Sequence, residues 1–245
     1  MKRFPLILAF LCITLTSVSV LANPTPQWSD GGVALDAILD DFSINPANTS
    51  VDVLNDYLNN DSYWSINASG GSIHSVVVGF SGSTGEKTLG IFSPNSNNSG
   101  LEMVELFNET SSPGDQAVLS IKSNGSVYLN FADTGIDFTS GYFGYYLVSG
   151  GNTWYSDSSL NGDNQDHMVA YQGNGVDIIQ VPGFVPGIWT TNSYLFGFEE
   201  SSVPGDYADF VFTAESISPE SVIPAPGALL LVMVGVGSLK IRRIA

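Results

Sequence analysis

The chain has 245 residues, 24 of them Asp or Glu against 7 Lys or Arg, for a formal net charge of −17. Lys2, Arg3, Lys240, Arg242 and Arg243 sit at the two ends, so the body between them sets only Lys87 and Lys122 against all 24 acidic residues, a formal −22. That balance excludes nucleic acid, whose binding draws on cationic contacts, and disfavours phosphate-rich ligands and anionic membranes.

Residues 1–22 read as a secretory leader. Lys2 and Arg3 supply the positive start, and Leu6 to Leu15 is an apolar run interrupted by Cys12 and Thr14. Val20-Leu21-Ala22 prepares a cut by signal peptidase between Ala22 and Asn23. The run is short for a membrane anchor. Cys12 follows Phe10-Leu11 inside the run, unlike a lipoprotein cysteine, and no other cysteine is present. The body after the cut therefore has no disulfide, no thiol chemistry and no Cys-type zinc site, and it is long enough to bury a core without them.

Residues 23–71 form a lead segment expected to pack on a sandwich built from residues 72–218. Val51, Leu54, Tyr57 and Leu58 have helical spacing, with Thr49 or Ser50 as a cap. The density of Asn and Asp fits an irregular segment packed on a sheet equally well.

Residues 72–218 read as β. Short runs rich in Val, Ile, Phe and Tyr alternate with Gly, Asn, Ser and Asp clusters. The clearest hairpin runs from Ala117 to Phe131. Leu119 and Ile121 alternate on the way out, Asn124-Gly125 supplies a positive-φ turn, and Val127, Leu129 and Phe131 alternate on the return. Further strands are expected at Ile73–Phe80, Thr88–Phe92, Leu101–Phe107, Tyr142–Val148, His167–Tyr171, Val176–Val181, Tyr194–Phe198 and Phe210–Ile217. Their number and spacing predict an all-β fold, an antiparallel β-sandwich of jelly-roll-like kind with its turns grouped at the ends. Sustained β-helix-β alternation, the mark of a doubly wound fold, is missing.

Acidic residues concentrate in two expected loops. Asp163 and Asp166 form one Asp-x-x-Asp pair, Asp206 and Asp209 another, and Glu199-Glu200 stand at a strand end shortly before the second. Hard oxygen ligands in loops at one end of a sandwich suit calcium, which accepts irregular sets of about six to eight oxygens. Solvated loops whose Asp side chains bond their own backbone are the competing reading. His74 and His167 are the only histidines; a packing or edge role for His74 and a loop-bonded role for His167 outweigh metal binding or catalysis.

Gly79-Phe80-Ser81-Gly82-Ser83 misses the nucleophile elbow of serine hydrolases and lacks its strand-to-helix setting. A glycosidase needs two suitably separated carboxylates, which this composition permits without nominating a pair. Trp28, Trp64, Trp154 and Trp189 can stack on sugars or fill a core.

Asp166-His167-Met168-Val169-Ala170-Tyr171, then Tyr194-Leu195-Phe196-Gly197-Phe198-Glu199-Glu200, then Gly205-Asp206-Tyr207-Ala208-Asp209-Phe210-Val211-Phe212 resemble an uncharacterised bacterial extracellular β domain. That family is marked by Phe-Gly-Phe-Glu-Asp followed by an Asp-x-x-Asp-Phe run; Glu200 here replaces the usual Asp. The resemblance spans roughly residues 88–217 and implies an architecture and an extracellular location, with no established activity.

Residues 219–245 form a second targeting element. Ile223-Pro224-Ala225-Pro226-Gly227 leads into an apolar stretch from Ala228 to Leu239, closed by Lys240-Ile241-Arg242-Arg243. As a helix, residues 223–239 rise about 25 Å, just short of a hydrocarbon core. The terminal cations favour a cytoplasmic end. A permanent single-span anchor and a glycolipid-anchor signal are alternatives, although the latter does not normally end in a basic cluster. The tail resembles the PEP-CTERM sorting signal, with Ala225 at the position usually held by Glu. That resemblance implies a Gram-negative source, an exosortase that cuts near Pro224-Ala225-Pro226, attachment to the membrane before the cut, and delivery to the cell surface or extracellular matrix.

The expected function is a non-enzymatic surface or matrix module that binds calcium and polysaccharide. A secreted carbohydrate-active enzyme using an Asp/Glu pair is the alternative. A cleft with two carboxylates about 5 to 9 Å apart would mark the enzyme; carboxylates gathered on one loop cluster would mark the module.

Overall fold

The computed structural model describes residues 24–80, 86–94, 100–201 and 205–220. The Ala22-Asn23 junction, Ser81 to Ser83, and the tail residues Pro224, Ala225, Pro226, Lys240, Arg242 and Arg243 lie outside them. Among the described residues no helix is long and apolar enough to cross a membrane.

One α-helix, α1 (Val33–Phe42), opens the described chain, followed by β1 (Ser43–Asn45), β2 (Trp64–Ile66), β3 (Ser72–Val78), β4 (Thr88–Pro94), β5 (Leu101–Asn108), β6 (Gln116–Ile121), β7 (Ser126–Leu129) and β8 (Ala132–Asp137). Then come β9 (Gly144–Ser149), β10 (Asn152–Tyr155), a 3-10 turn (Ser158–Leu160), β11 (Met168–Gln172), β12 (Ile178–Ile179), β13 (Gly187–Ile188), β14 (Ser193–Phe198), β15 (Phe210–Glu215) and β16 (Ile217–Pro219). Among the described residues the fold is all-β, with antiparallel sheets and one short α-helix. A seven-stranded sheet has the order β11-β14-β15-β3-β6-β7-β8, and a four-stranded sheet the order β10-β9-β4-β5. Two small sheets, β1-β12-β13 and β16-β2, complete the pairing.

Around β11, β14 and β15 the seven-stranded sheet is buried on both faces. On one face Phe196, Phe198, Phe210 and Phe212 share a core with Leu89, Ile91, Tyr145 and Leu147 of the four-stranded sheet. On the other, Val169, Tyr171, Leu195 and Val211 share a core with Leu35, Leu39 and Phe42 of α1 and with Trp189. Two-sided burial explains why β14 and β15 read as continuous apolar runs rather than as an alternation.

The helix lies earlier than the expected one. Leu35, Leu39 and Phe42 recur at helical spacing, and Asp30 receives the N–H groups of Gly32 and Ala34. Residues 51–58 form turns instead, because their polar side chains capture the backbone. Asp52 Oδ1 accepts from Leu54 N, Thr49 Oγ1 from Val51 N and Asp56 Oδ2 from Asp52 N. The segment covers an exposed sheet edge: Leu58 N donates to Ala170 O on β11 at 2.9 Å.

The hairpin is also built differently. Gly125, at φ 98°, alone supplies the positive φ of the β6–β7 turn, which Lys122 N and Gly125 N close by bonding Ser126 O and Lys122 O. The return strand stops at Leu129, and Phe131 belongs to a second turn. Asn130 and Phe131, at φ 50° and 67°, are the two central residues between β7 and β8. A left-handed non-glycine costs roughly 1–2 kcal/mol. His74 is a packing residue of β3, the central strand, and not an edge residue. Its Nε2 pairs with Tyr145 OH at 2.9 Å across the core, and burial pushes its pKa down to about 3.

Candidate functional site

β11 and β14 are neighbours, with Met168 opposite Phe198, so the loops beyond their ends meet. Glu199 N donates to His167 O at 2.9 Å across that junction. The Glu199 carboxylate is buried and organises the loop into β15. Its Oε1 accepts from Ser201 N and its Oε2 from Asp206 N, both at 2.9 Å. Asp209 Oδ2 accepts from Glu200 N at 2.8 Å, and Asp206 Oδ1 from Ala208 N at 3.0 Å.

Two glycines make room for this arrangement. A Cβ on Gly205 would land on the Glu199 carboxylate, and one on Gly197 would strike Tyr207 O. The Phe-Gly-Phe-Glu and Gly-Asp-Tyr-Ala-Asp-Phe segments are therefore two halves of one construction. The start of the described chain closes over it: Ser29 N donates to Gly205 O, Gly205 N to Gln27 O, and the Trp28 ring packs 4.7 Å from Tyr207.

One carboxylate oxygen from each of Glu199, Asp206 and Asp209 lies within 4.8 Å of the others. Burial pushes the Asp209 carboxyl up to about 7, helped by the nearby Glu199 and Glu200 charges and opposed by the Glu200 N–H. Like charges this close are relieved either by a proton held on Asp209 or by a cation among the oxygens. The donor set is all oxygen, which suits a hard cation such as calcium.

The other expected ligands point elsewhere. Asp163 faces His167, whose Nε2 lies 3.1 Å from its Oδ2. Burial works against the Asp163 charge, but the Gln165 N–H and His167 hold its carboxyl below the usual range. The His167 ring stacks on Trp154 at 4.1 Å, and its Nδ1 lies 3.2 Å from Glu199 O. Asp166 is buried, and its carboxyl is pushed well above its ordinary value by burial and by the Asp61 charge beside it. Glu200 turns toward Ser149 Oγ and Lys87 Nζ, the latter at 3.9 Å. Of the six expected residues, Glu199, Asp206 and Asp209 converge, and Asp163, Asp166 and Glu200 do not join them.

Asp61, Lys87 and Ser149 are neighbours that sequence reasoning missed. They come from distant positions, and nothing local distinguishes them. Lys87 precedes β4 and Glu200 follows β14, so their largely buried pair ties the four-stranded sheet to the seven-stranded one. Near Lys87, a shallow depression of about 400 Å³ is lined by Glu86, Thr88, Glu105, Asn108, Glu109 and Thr110, with no aromatic ring. Trp64, Trp154 and Trp189 are buried, and Trp28 is half-buried against Tyr207. Searched against models of protein families, curated proteins and solved structures, the chain matches none.

Proposed function

We propose that this is an exported surface or extracellular-matrix protein whose tail is sorted by an exosortase after signal peptidase removes the leader. In this reading the two larger sheets form a jelly-roll-like β-sandwich that works as a non-enzymatic binding or structural module. The observation that carries it is the arrangement of charge along the chain. An all-β body with 24 carboxylates and two lysines lies between a leader-like start and an apolar tail ending in Arg242-Arg243.

The acidic loop supports binding over catalysis. Glu199, Asp206 and Asp209 spend oxygens on the loop's own N–H groups, a scaffolding use, while leaving an all-oxygen set for calcium. Calcium is also the ion through which so anionic a body can approach acidic polysaccharide, the ligand class we assign to it.

Removal of residues 224–245 tests the sorting reading. The truncated protein is expected to be exported and recovered in the soluble rather than the membrane fraction, while the full chain fractionates with membranes until processed. A truncated protein that still fractionates and is processed like the full chain would overturn the proposal.

A further inference from the structure

The four-stranded sheet has a second face, turned away from the core it shares with the seven-stranded sheet. Along β4 and β9, Leu89, Ile91, Tyr145 and Leu147 point into that core, so Gly90, Phe92, Gly144 and Tyr146 point out. A sheet with one solvated face ordinarily spends such positions on polar residues. Here they carry rings. Tyr142, Tyr63, Phe92 and Tyr155 follow one another at centroid distances of 5.3, 5.8 and 5.2 Å. Phe92 and Tyr146 are buried, whereas Tyr142 and Tyr155, packed against them, stay half-exposed. Glycine makes the arrangement possible. A Cβ on Gly144 would strike the Phe92 ring, and one on Gly90 the Tyr146 ring.

Strand register carries this face into the depression beside Lys87. Tyr155, Tyr146, Gly90 and Glu105 are successive partners across β10, β9, β4 and β5. The next outward row is Thr153, Val148, Thr88 and Asn108. Thr88, Glu105 and Asn108 line the depression together with Glu86, Glu109 and Thr110. Burial first, then the Glu105 charge and Tyr155, pushes the Tyr146 phenol up to about 12, so it keeps its proton. Glu86, Glu105 and Glu109 are exposed and, when ionised, can only accept hydrogen bonds. The two lysines of the body are engaged elsewhere. Lys87 is buried and paired with Glu200, and Lys122, after β6 in the other sheet, lies 3.7 Å over the Tyr128 ring. The β10 edge is closed at Tyr155: Asn161 Oδ1 accepts from Tyr155 N at 2.8 Å, and Asn161 Nδ2 donates to Tyr155 O at 2.9 Å. A ligand therefore meets the side chains of the face there and not a free strand edge.

We propose that this face is a binding site for an uncharged polysaccharide, which lies across Tyr142 and Tyr155 and sets its hydroxyls on the carboxylates of the depression. The C–H groups on one side of a sugar ring are apolar and weakly positive, and they suit the negative faces of phenol rings whose hydroxyls remain wet. The hydroxyls of the same sugar donate, and hydrogen bonds to ionised acceptors are the strong ones. An acidic polymer brings its own charge to three exposed carboxylates with no cation between them and is repelled. The site uses none of Glu199, Asp206 and Asp209, so it asks for no calcium and is additional to the acidic polymer reached through that ion.

Affinity electrophoresis of the full chain in nonionic detergent tests the site, because the formal charge of −17 drives the protein through a native gel. The gels contain chelator and, in turn, hydroxyethylcellulose, galactomannan, dextran or alginate. At least one of the three uncharged polymers is expected to retard the protein, and alginate is not. Tyr155→Ala should weaken that binding about tenfold, and Glu105→Ala about fivefold. Phe184→Ala, which removes an exposed ring from the β12–β13 loop, should leave it unchanged. Glu105 is exposed, so its variant decides the matter if Tyr155→Ala melts early. The site is refuted if no uncharged polymer retards the protein, or if neither Tyr155→Ala nor Glu105→Ala diminishes the retardation. Retardation by alginate alone, and only when calcium replaces the chelator, refutes this site and leaves the calcium reading standing. Mobility that depends on protein concentration without polymer, and no longer does so in Tyr155→Ala, means that a second copy covers the face, which also refutes it.

Discussion

Two turns of the seven-stranded sheet store opposite kinds of tension. Beyond Phe198 and Phe210 the tension is electrostatic: three carboxylates gather around a loop whose N–H groups they hold in place. At the Asn130-Phe131 turn it is conformational, a phenylalanine held left-handed with its ring in solvent. The first turn is knitted into the molecule through Gln27, Ser29, His167 and Lys87, whereas the second is held by Asn130 alone among its two central residues. Tension that many contacts oppose is part of the architecture, and tension that none oppose can be removed without consequence for the fold.

The sharpest way to break the comparison is Gly205→Ala. The new methyl collides with the Glu199 carboxylate, which cannot retreat without releasing Ser201 N and Asp206 N. Overpacking of this kind costs roughly 1–3 kcal/mol, and a lost hydrogen-bond partner adds about 1 kcal/mol. Thermal unfolding is expected to show a clearly lowered melting temperature. An unchanged one would mean that the loop is looser than its geometry.

A gentler probe is Asp209→Asn, read against pH. The folded state holds the Asp209 proton more tightly than the unfolded chain, so this stabilising contribution is complete below about pH 4. It is lost as pH rises toward about 7. Asp166 acts in the same sense. His74 acts in the opposite sense, destabilising the fold as pH falls from about 6.5 toward its lowered value. The difference between variant and wild type isolates Asp209: the variant should gain on the wild type as pH rises through this window. Calcium should raise the wild-type melting temperature more at about pH 8 than at about pH 5, because protons compete for the same oxygens. At 100 times its Kd the ion would add about 2.7 kcal/mol. The gain should vanish in the double variant Asp206→Asn, Asp209→Asn, and equal melting temperatures with calcium and with chelator would remove calcium from the account.

The smallest effect is expected from Phe131→Gly, and its sign is the point. Relief of the left-handed strain should outweigh glycine's greater chain entropy and raise stability by up to about 1 kcal/mol. A melting temperature that fell would show the ring to be packed after all.

The strands that carry the core were legible because their apolar runs are long and bounded by turn residues. Tyr194–Phe198 and Phe210–Glu215 are the clearest instances. β8 and β10 were missed because an edge strand such as Ala132–Asp137 needs few apolar residues, and Asn152–Tyr155 buries only Trp154. Helical spacing at Val51 to Leu58 lost to the side-chain hydrogen bonds of Asp52 and Asp56, which no periodicity registers. The meeting of the two acidic loops followed from β11 lying beside β14. The direction of each carboxylate did not, since it is set by Gly205, His167 and Lys87 from outside the acidic pattern.

The closure of Gln27, Trp28 and Ser29 over residues 205–207 has a consequence for the timing of folding. The Gln27 N–H bonds the Tyr207 hydroxyl across 180 positions of sequence, a separation that makes the contact slow to find. A chain emerging from its N-terminus must carry its first strand of cover unpaired until nearly the whole body has followed. The acidic loop is thus sealed by the first described residues only once residues 205–207 have been made.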